Sequence, residues 1–147
     1  MRLSPSHRLP RAGIDPIDSH DAALATVAMA AHRPLRPETI VVLLDDARRG
    51  IALVVVTDTQ RPDDVLEVVE CLTRPTAHAG RVGAVVVGTV RPGAGAEADD
   101  HVPDPDIDRW LELSDIAEGH GVELLEWFVI GADVRCPRDD LGEAPRW

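Results

Sequence analysis

The sequence predicts an α/β (α+β) fold, a mixed sheet with flanking helices arranged in three layers. Three observations support this prediction. Apolar, β-branched runs alternate with segments of helical periodicity, two of the runs are joined by the short segment DDARRG, and only 3% of the residues are aromatic. The core must therefore be built from aliphatic side chains, and 147 residues are enough for one such core.

The N-terminal part predicts a loose arm followed by a helix. Residues 1–18 are rich in Pro, Ser and Arg without periodicity, so we expect a flexible arm there and a single domain over residues 19–147. Ser19 is a suitable N-cap for HDAALATVAMAAH, whose apolar residues fall on one face. This helix should end before Pro34, because proline does not continue a helix.

The segment ETIVVLLDDARRGIALVVVTDT predicts a β-hairpin. Gly50 lies at the end of its connection, where it can take the positive φ that such turns often need. Both runs are nearly continuous in Val, Ile and Leu, so both strands should be buried on both faces. A helix is then expected to open at Pro62 and to end at Pro75, and RVGAVVVGTV should form a third buried strand.

The C-terminal half predicts a loop, a helix, a strand and a tail. GAGAEADDHVPDPD is typical of a mobile loop, and Asp104 before Pro105 is a suitable N-cap. The helix that follows should turn one stripe to the core, made of Ile107, Trp110, Leu111, Ser114 and Ala117. VELLEWFVIG should form a fourth strand with Trp127 and Phe128 on opposite faces. The residues after it predict an irregular tail.

Composition and charge exclude several classes of function. The net charge of −11 repels phosphate backbones, so we expect no nucleic-acid partner. No apolar run reaches the roughly 18–20 residues of a membrane span, and the N-terminus lacks the apolar stretch of a signal peptide, which predicts a cytoplasmic protein without membrane contact. Cys71 and Cys136 are expected to be free thiols, Cys71 in the core and Cys136 in the tail, although a single bridge is an alternative.

Residues 106–131, DIDRWLELSDIAEGHGVELLEWFVIG, resemble the last helix and strand of the RadC-like branch of the JAB/MPN metalloprotease fold. In that branch an Asp-Ile pair opens a helix, a Gly precedes Ile or Val, and a Leu-Leu-Asp-His run leads to Ile/Val-x-Gly. Here DI, GV, LLE and a final Gly stand in the same register without a gap. LLD at 43–45 and RPDDVL at 61–66 agree in order. The resemblance covers roughly residues 36–135 and implies a JAB/MPN-like sandwich.

The resemblance also implies where the family's metal would lie. The family holds zinc with His-x-His-Pro at a strand end and with an Asp on the next helix, while a Glu acts on the zinc-bound water. In this chain the His-x-His-Pro positions read Thr89, Val90, Arg91 and Pro92. Asp106 aligns with the ligating Asp, Pro103 with an associated Ser, and Asp64 with the Glu.

Arg91 decides what this aligned site can do. A guanidinium is a permanent cation that cannot ligate a metal. The resemblance therefore implies a site that has lost its metal, and we expect Arg91 to fill it by pairing with Asp64 or Asp106.

The remaining candidate residues carry weaker signals. The segment DDHVPDPDID invites a cation site with His101 but lacks the EF-hand pattern, which favours a solvated acidic loop. His78 and His120 are expected to be surface histidines. No Gly-x-Ser-x-Gly elbow accompanies Thr89, so a nucleophilic site is not indicated. Trp147 ends the chain and is expected to contact either the core or a partner.

The function that follows is a catalytically inactive JAB/MPN-like domain that acts as a protein-interaction or binding module, without a cofactor. Its candidate binding residues are Asp64, Thr89, Arg91, Pro92, Asp106 and Trp147. Two alternatives stay open: a metal-free pocket around Arg91 that binds an anion or small molecule, as a binder or an enzyme, and a residual metal-dependent hydrolase using Asp64, His101 and Asp106. The sequence does not identify the partner or the oligomeric state.

Overall fold

The computed structural model describes residues 9–78, 80–93 and 105–147, and its centre is a five-stranded mixed sheet. The strands are β1 (Glu38–Leu44), β2 (Gly50–Thr57), β3 (Ala84–Val90), β4 (Glu123–Ile130) and β5 (Val134–Arg135), in the sheet order β2-β1-β3-β4-β5. The helices are α1 (His20–Ala30), α2 (Asp64–Thr73), α3 (Pro75–His78), α4 (Pro105–Gly119) and α5 (Pro137–Leu141). The predicted mixed sheet with flanking helices is confirmed.

Strand pairing follows from the predicted hairpin and one crossover. β1 pairs antiparallel with β2 and also with β3, while β3 pairs in parallel with β4 through α4. β1 and β3 are buried along their whole length, as their continuous apolar runs predict. Because β3 and β4 are parallel, their carboxyl ends lie side by side at the same end of the sheet.

β2 differs from the prediction of a strand buried on both faces. It forms one edge of the sheet and pairs only with β1, so most of its residues are half-buried and Leu53 is 39% exposed. Its hydrophobic sequence resembles that of a central strand because Val and Ile favour extended backbone in either place. An edge position depends on the strand order, which the local sequence does not contain.

Two apolar clusters lie on opposite faces of the sheet. Alternate residues of β1 divide between them: Val42 and Leu44 contact the α1 side, and Val41 and Leu43 contact the α2 and α4 side. Trp127 and Phe128 of β4 are fully buried in different clusters, which confirms the predicted opposite orientation. The domain therefore has three layers: α1, the sheet, and α2 with α4.

The N-terminal segment corrects the predicted arm over residues 9–18. Ile17 is only 3% exposed and belongs to the core on the α1 side. The backbone N–H of Gly13 donates to the carbonyl of Gly50, and Pro16 forms a β-bridge with Arg49. These contacts fix the segment against the hairpin because they satisfy backbone groups that a loose arm would leave to water. Residues 1–8 lie outside the described residues.

The three predicted helices are present in the predicted order as α1, α2 and α4, and the short helices α3 and α5 were not predicted. Ser19 caps α1, since its hydroxyl accepts a hydrogen bond from the backbone N–H of Ala22. α2 begins at Asp64 rather than at Pro62, and α3 follows it where only a stop was predicted. Both cysteines are free thiols, but Cys71 is exposed and not in the core. The predicted mobile loop covers residues 93–106, of which 94–104, including the predicted Asp104 cap, lie outside the described part, while its last two residues begin α4.

The buried stripe of α4 is rotated from the predicted one. Leu111 is 45% exposed, and the buried residues of the helix are Asp106, Trp110, Leu113, Ser114 and Ala117. The rotation has a physical reason. The Asp106 carboxylate in the first turn points inward to its cationic partners, and residues four, seven, eight and eleven positions after it lie on the same face of the helix and are therefore buried too. Trp110 is 0% exposed, as predicted for a core residue.

The C-terminal residues are ordered, which corrects the predicted irregular tail. β5 adds two residues to the edge of β4, and α5 begins after Cys136 with Pro137 at its first turn. Arg138 of α5 is only 5% exposed and binds the β4 strand through Glu126. The short elements escaped prediction because their apolar content is low and they are held by ion pairs.

No helix of the described residues combines the length and the apolar character that crossing a bilayer requires.

Candidate functional site

The candidate site lies where the carboxyl end of β3 meets the first turn of α4. Thr89 and Arg91 lie two residues apart and point to the same side of the sheet, toward α4. Arg91 continues the strand beyond its last residue, since its backbone N–H donates to the carbonyl of Ile130 at 2.8 Å. This backbone hydrogen bond fixes the position of Arg91 at the end of the sheet where β3 and β4 terminate.

Arg91 and Asp106 form a two-pronged ion pair. Arg91 Nη1 lies 2.6 Å from Asp106 Oδ2, and Nη2 lies 2.9 Å from Oδ1. The Asp106 side chain is 5% exposed and that of Arg91 is 27% exposed. A guanidinium matches a carboxylate in this parallel geometry, which makes the contact both strong and directional. The expected pairing of Arg91 with Asp106 is therefore present.

A second arginine completes a short chain of charges. Arg109 Nη1 donates to Asp106 Oδ1 at 3.0 Å, and Arg109 Nε donates to Asp63 Oδ1 at 2.8 Å. Burial opposes ionisation of Asp106, but the hydrogen bonds and charges of Arg91 and Arg109 outweigh it and lower its pKa below the ordinary value. Burial also opposes the charge on Arg109, yet its contacts with Asp63 and Asp106 raise its pKa.

Thr89 serves the sheet rather than the ion pairs. Its side-chain oxygen accepts a hydrogen bond from Trp127 Nε1 at 2.9 Å, deep in the core. The guanidinium carbon of Arg91 lies 6.0 Å from the centre of the Trp127 ring, at the outer limit of a cation–π contact. Thr89 thus ties β3 to β4 immediately beneath the ion pair.

Asp64 and Trp147 lie away from Arg91. The Asp64 carboxylate instead accepts from the backbone N–H and the Nε of Arg61, at 3.0 and 3.1 Å, and closes the turn before α2. The carboxylate of this turn that binds Arg109 is that of Asp63. Trp147 packs half-buried on the α1-side cluster, and its buried indole N–H has no hydrogen-bond partner among the described residues.

The other sequence-predicted candidates among the described residues add no donor to this site. Pro92 is exposed on the turn after β3. His120 is paired with Glu70 at 3.0 Å and is partly buried, not a free surface histidine. His101 and Pro103 lie outside the described residues, as does the side chain of His78. Within the described part of the chain, Arg91 and Asp106 bind each other, and no group of three metal-ligating side chains gathers around them.

A second polar cluster lies on the opposite face of the sheet and was missed by the sequence analysis. His20, Glu126 and Cys136 place their ligand atoms within 4.8 Å of one another. Burial and the charge of Glu126 raise the pKa of the Cys136 thiol to about 12. The three residues come from the start of α1, from β4 and from the residue before α5. No spacing motif links them, and so the sequence gives no local signal.

No protein-family model matches the chain, and a comparison with curated proteins gives no match either. The RadC-like register therefore stays a prediction from the sequence. Function has to be argued from the geometry of the side chains.

Proposed function

We propose that the chain is a catalytically inactive RadC-like domain that acts as a protein-interaction module. The observation that carries the proposal is the bidentate ion pair of Arg91 with Asp106 at the end of β3. In the RadC-like register these two positions would be a histidine and an aspartate that bind zinc. An internal cation stands where the metal would be.

The chemistry of the network supports the loss of metal-dependent activity. A catalytic zinc needs three neutral or anionic donors and one open position for water. Here Arg91 contributes a positive charge, Thr89 bonds to Trp127, and Asp106 is already shared between two guanidinium groups. The arrangement stabilises the junction of β3 and α4, and among the described residues it includes no group of metal ligands that could activate a water molecule.

The alternative of an anion pocket around Arg91 receives less support. Both terminal nitrogens of Arg91 donate to Asp106, so the side of the guanidinium that would bind an anion through two parallel hydrogen bonds is already occupied by a nearly buried carboxylate. Asp64 points to Arg61, away from this position. The residues that were expected to share one ligand therefore have separate partners.

The interaction surface that fits best is the open edge of β2. The N-terminal segment covers the start of this edge at Gly50, but among the described residues the outer backbone groups of residues 51–57 face no other strand. Such an edge can accept an added strand from a partner. An apolar groove of about 220 Å³ runs beside it, lined by Ile17, Met29, Val42, Ile51 and Leu53 among others. An extended partner segment would pair with β2 and place alternate side chains in this groove.

The register on which the proposal rests is tested by restoring the metal ligands. We expect the double variant Thr89→His with Arg91→His to bind one zinc ion more than the unsubstituted chain, because two imidazoles would then face the Asp106 carboxylate. Metal content is measured after dialysis against zinc and then against buffer. The matched control adds Asp106→Asn to the same double variant and should lose the additional zinc.

Two results would contradict the proposed register. One is a folded double variant that gains no zinc, and the other is a gain that persists with Asp106→Asn. Circular dichroism establishes whether each variant is folded. Hydrolytic activity against isopeptide and peptide substrates in the unsubstituted chain would contradict the inactive assignment directly.

A further inference from the structure

Three different metal-ligating groups meet at the α1 face of the sheet. His20 is the first residue of α1, Glu126 lies in β4, and Cys136 precedes α5. An imidazole, a carboxylate and a thiol are the donor types that zinc uses in proteins. This cluster lies on the face of the sheet opposite Arg91 and Asp106, so it is independent of the proposed function.

The distance between the two softer donors fits a shared metal ion. Cys136 Sγ and His20 Nε2 are 3.5 Å apart. Bond lengths of about 2.3 Å to sulfur and about 2.1 Å to nitrogen at a tetrahedral angle place such atoms about 3.6 Å apart. The nearest Glu126 oxygen lies within 4.8 Å of both atoms, a separation that a small side-chain movement can close.

Glu126 lies on the same side of β4 as Phe128, because the two residues are two positions apart. Phe128 belongs to the α1-side cluster, so Glu126 faces α1. A β-bulge precedes it: Val85 pairs with Leu124 and Val86 pairs with Glu126, which leaves Leu125 between them. The His20 ring meets Phe128 edge to face with 5.1 Å between the ring centres, and this contact orients the imidazole.

The surroundings resemble the outer shell of a metal site. Glu126 accepts from Arg138 Nε at 2.9 Å and from the backbone N–H of Trp127 at 3.2 Å, and each oxygen keeps a further lone pair. Asp21 Oδ1 lies 3.7 Å from the other ring nitrogen of His20. Glu126 is 0% exposed while the His20 side chain is 42% exposed, so the cluster opens to solvent on one side.

We propose that His20, Glu126 and Cys136 bind a zinc ion, with water as the fourth ligand on the solvent side. Binding releases the Cys136 thiol proton to solvent, and no redox change is involved. The ion would link the start of α1, the middle of β4 and the start of α5. Its role is to hold the C-terminal segment against the sheet.

The test uses the full chain and cobalt(II) as the probe. Bound metal is first removed from the protein with a chelator under reducing conditions, and the protein is then titrated with Co²⁺. A thiolate-to-cobalt charge-transfer band reports sulfur ligation, and the ligand-field bands report tetrahedral geometry. Zinc is then added to displace the cobalt. We expect one equivalent to bind. Cys136→Ser and His20→Ala should each lower the affinity more than roughly 100-fold, because loss of an outer-shell partner alone lowers it 10- to 100-fold.

Matched controls separate this site from general binding by thiols and imidazoles. Cys71→Ser changes a residue of α2, and His120→Ala changes the residue that follows α4, so both should leave the titration unchanged. His20→Ala is the decisive variant, since its side chain is partly exposed and its loss leaves no buried charge unpaired. Glu126→Gln is secondary because Arg138 would lose its ion-pair partner.

Three results would overturn the proposal. The first is the absence of a tetrahedral cobalt spectrum in the unsubstituted chain, which would leave the Cys136–His20 contact as a hydrogen bond only. The second is a spectrum that survives His20→Ala, and the third is a spectrum that is lost with Cys71→Ser. Failure of the folded Thr89→His, Arg91→His double variant to gain a zinc ion, by contrast, bears only on the RadC-like register.

Discussion

At the scale of single residues, Arg91 shows why one substitution can change the chemistry of a strand end. A histidine at this position would offer a lone pair, whereas a guanidinium offers only donors. Asp106 accepts from two arginines and is nearly buried, so each of its oxygens is satisfied. The positive charge that balances this carboxylate comes from two guanidinium groups of the chain.

The contribution of the Arg91–Asp106 ion pair to folding stability can be measured by mutation. Arg91→Gln should lower the free energy of unfolding by about 1–3 kcal/mol, since it removes two charge-assisted hydrogen bonds while Arg109 keeps Asp106 partly neutralised. Urea unfolding of Arg91→Gln, Asp106→Asn and the double variant measures the coupling. Losses that simply add would show that the two side chains do not stabilise each other.

The same coupling should depend on pH. The pKa of Asp106 is lowered in the folded chain, so its contribution is complete above the ordinary carboxyl value of about 3.9 and is lost as the pH falls through the folded value. The cycle repeated near pH 3 should therefore give a smaller coupling than at pH 7. The exposed Asp108→Asn on the same helix is the control and should change little.

At the scale of elements, the contact of α1 with β3 depends on a glycine. A Cβ at Gly88 would run into Val27 Cγ1, while Val27 is 0% exposed and has no free space to move. We predict that Gly88→Ala lowers the free energy of unfolding by about 1–3 kcal/mol through overpacking. Thermal or urea unfolding measures this change.

Gly119→Ala is the matched control for Gly88→Ala. Gly119 ends α4, and a Cβ there meets nothing within 4 Å. Alanine is the better helix former, so this variant should be neutral or slightly more stable. Equal stability of the two alanine variants would mean that α1 can move away from β3 without loss of packing.

The elements also show what the sequence could and could not predict. β1, β3 and β4 were predictable because continuous runs of Val, Ile and Leu favour strands, and these three are covered on both faces. The expected pairing of Arg91 with Asp64 or Asp106 was met by Asp106, on the helix that follows the strand. The exposure of β2 was not, because it depends on which strand lies at the edge.

The metal-ligating cluster could not be predicted for a related reason. His20 and Cys136 lie far apart in sequence and meet only through the three-layer packing. Glu126 reaches them from the α1-facing side of β4, and the bulge before it interrupts the alternation that a sequence-based assignment of its face would use. Sequence patterns specify elements, but sites built between distant elements require the packed structure.

At the scale of the whole molecule, the two edges of the sheet differ in how much of them is covered by other elements. β5 and α5 shield part of β4, whereas at the other edge the N-terminal segment covers only the start of β2, and residues 51–57 pair with no outer strand among the described residues. Proteins commonly protect such edges because they pair readily with other chains. An uncovered hydrophobic edge beside an apolar groove is therefore the surface on which a partner strand would be stabilised most.

The proposed interaction predicts a selective effect of charge on this edge. Leu53→Lys should remove a partner that copurifies with the tagged chain from its host in fixed stoichiometry, because a lysine at an edge opposes addition of a strand. Leu111→Lys, equally exposed on the outside of α4, should retain it. Hydrogen exchange of the complex should show protection of the β2 amides, since a paired strand donates them to its neighbour. A partner that binds both variants alike would exclude the β2 edge as the interaction surface, and so would protection confined to another face. If sedimentation shows that the only partner is a second copy of the chain, the edge serves self-association instead.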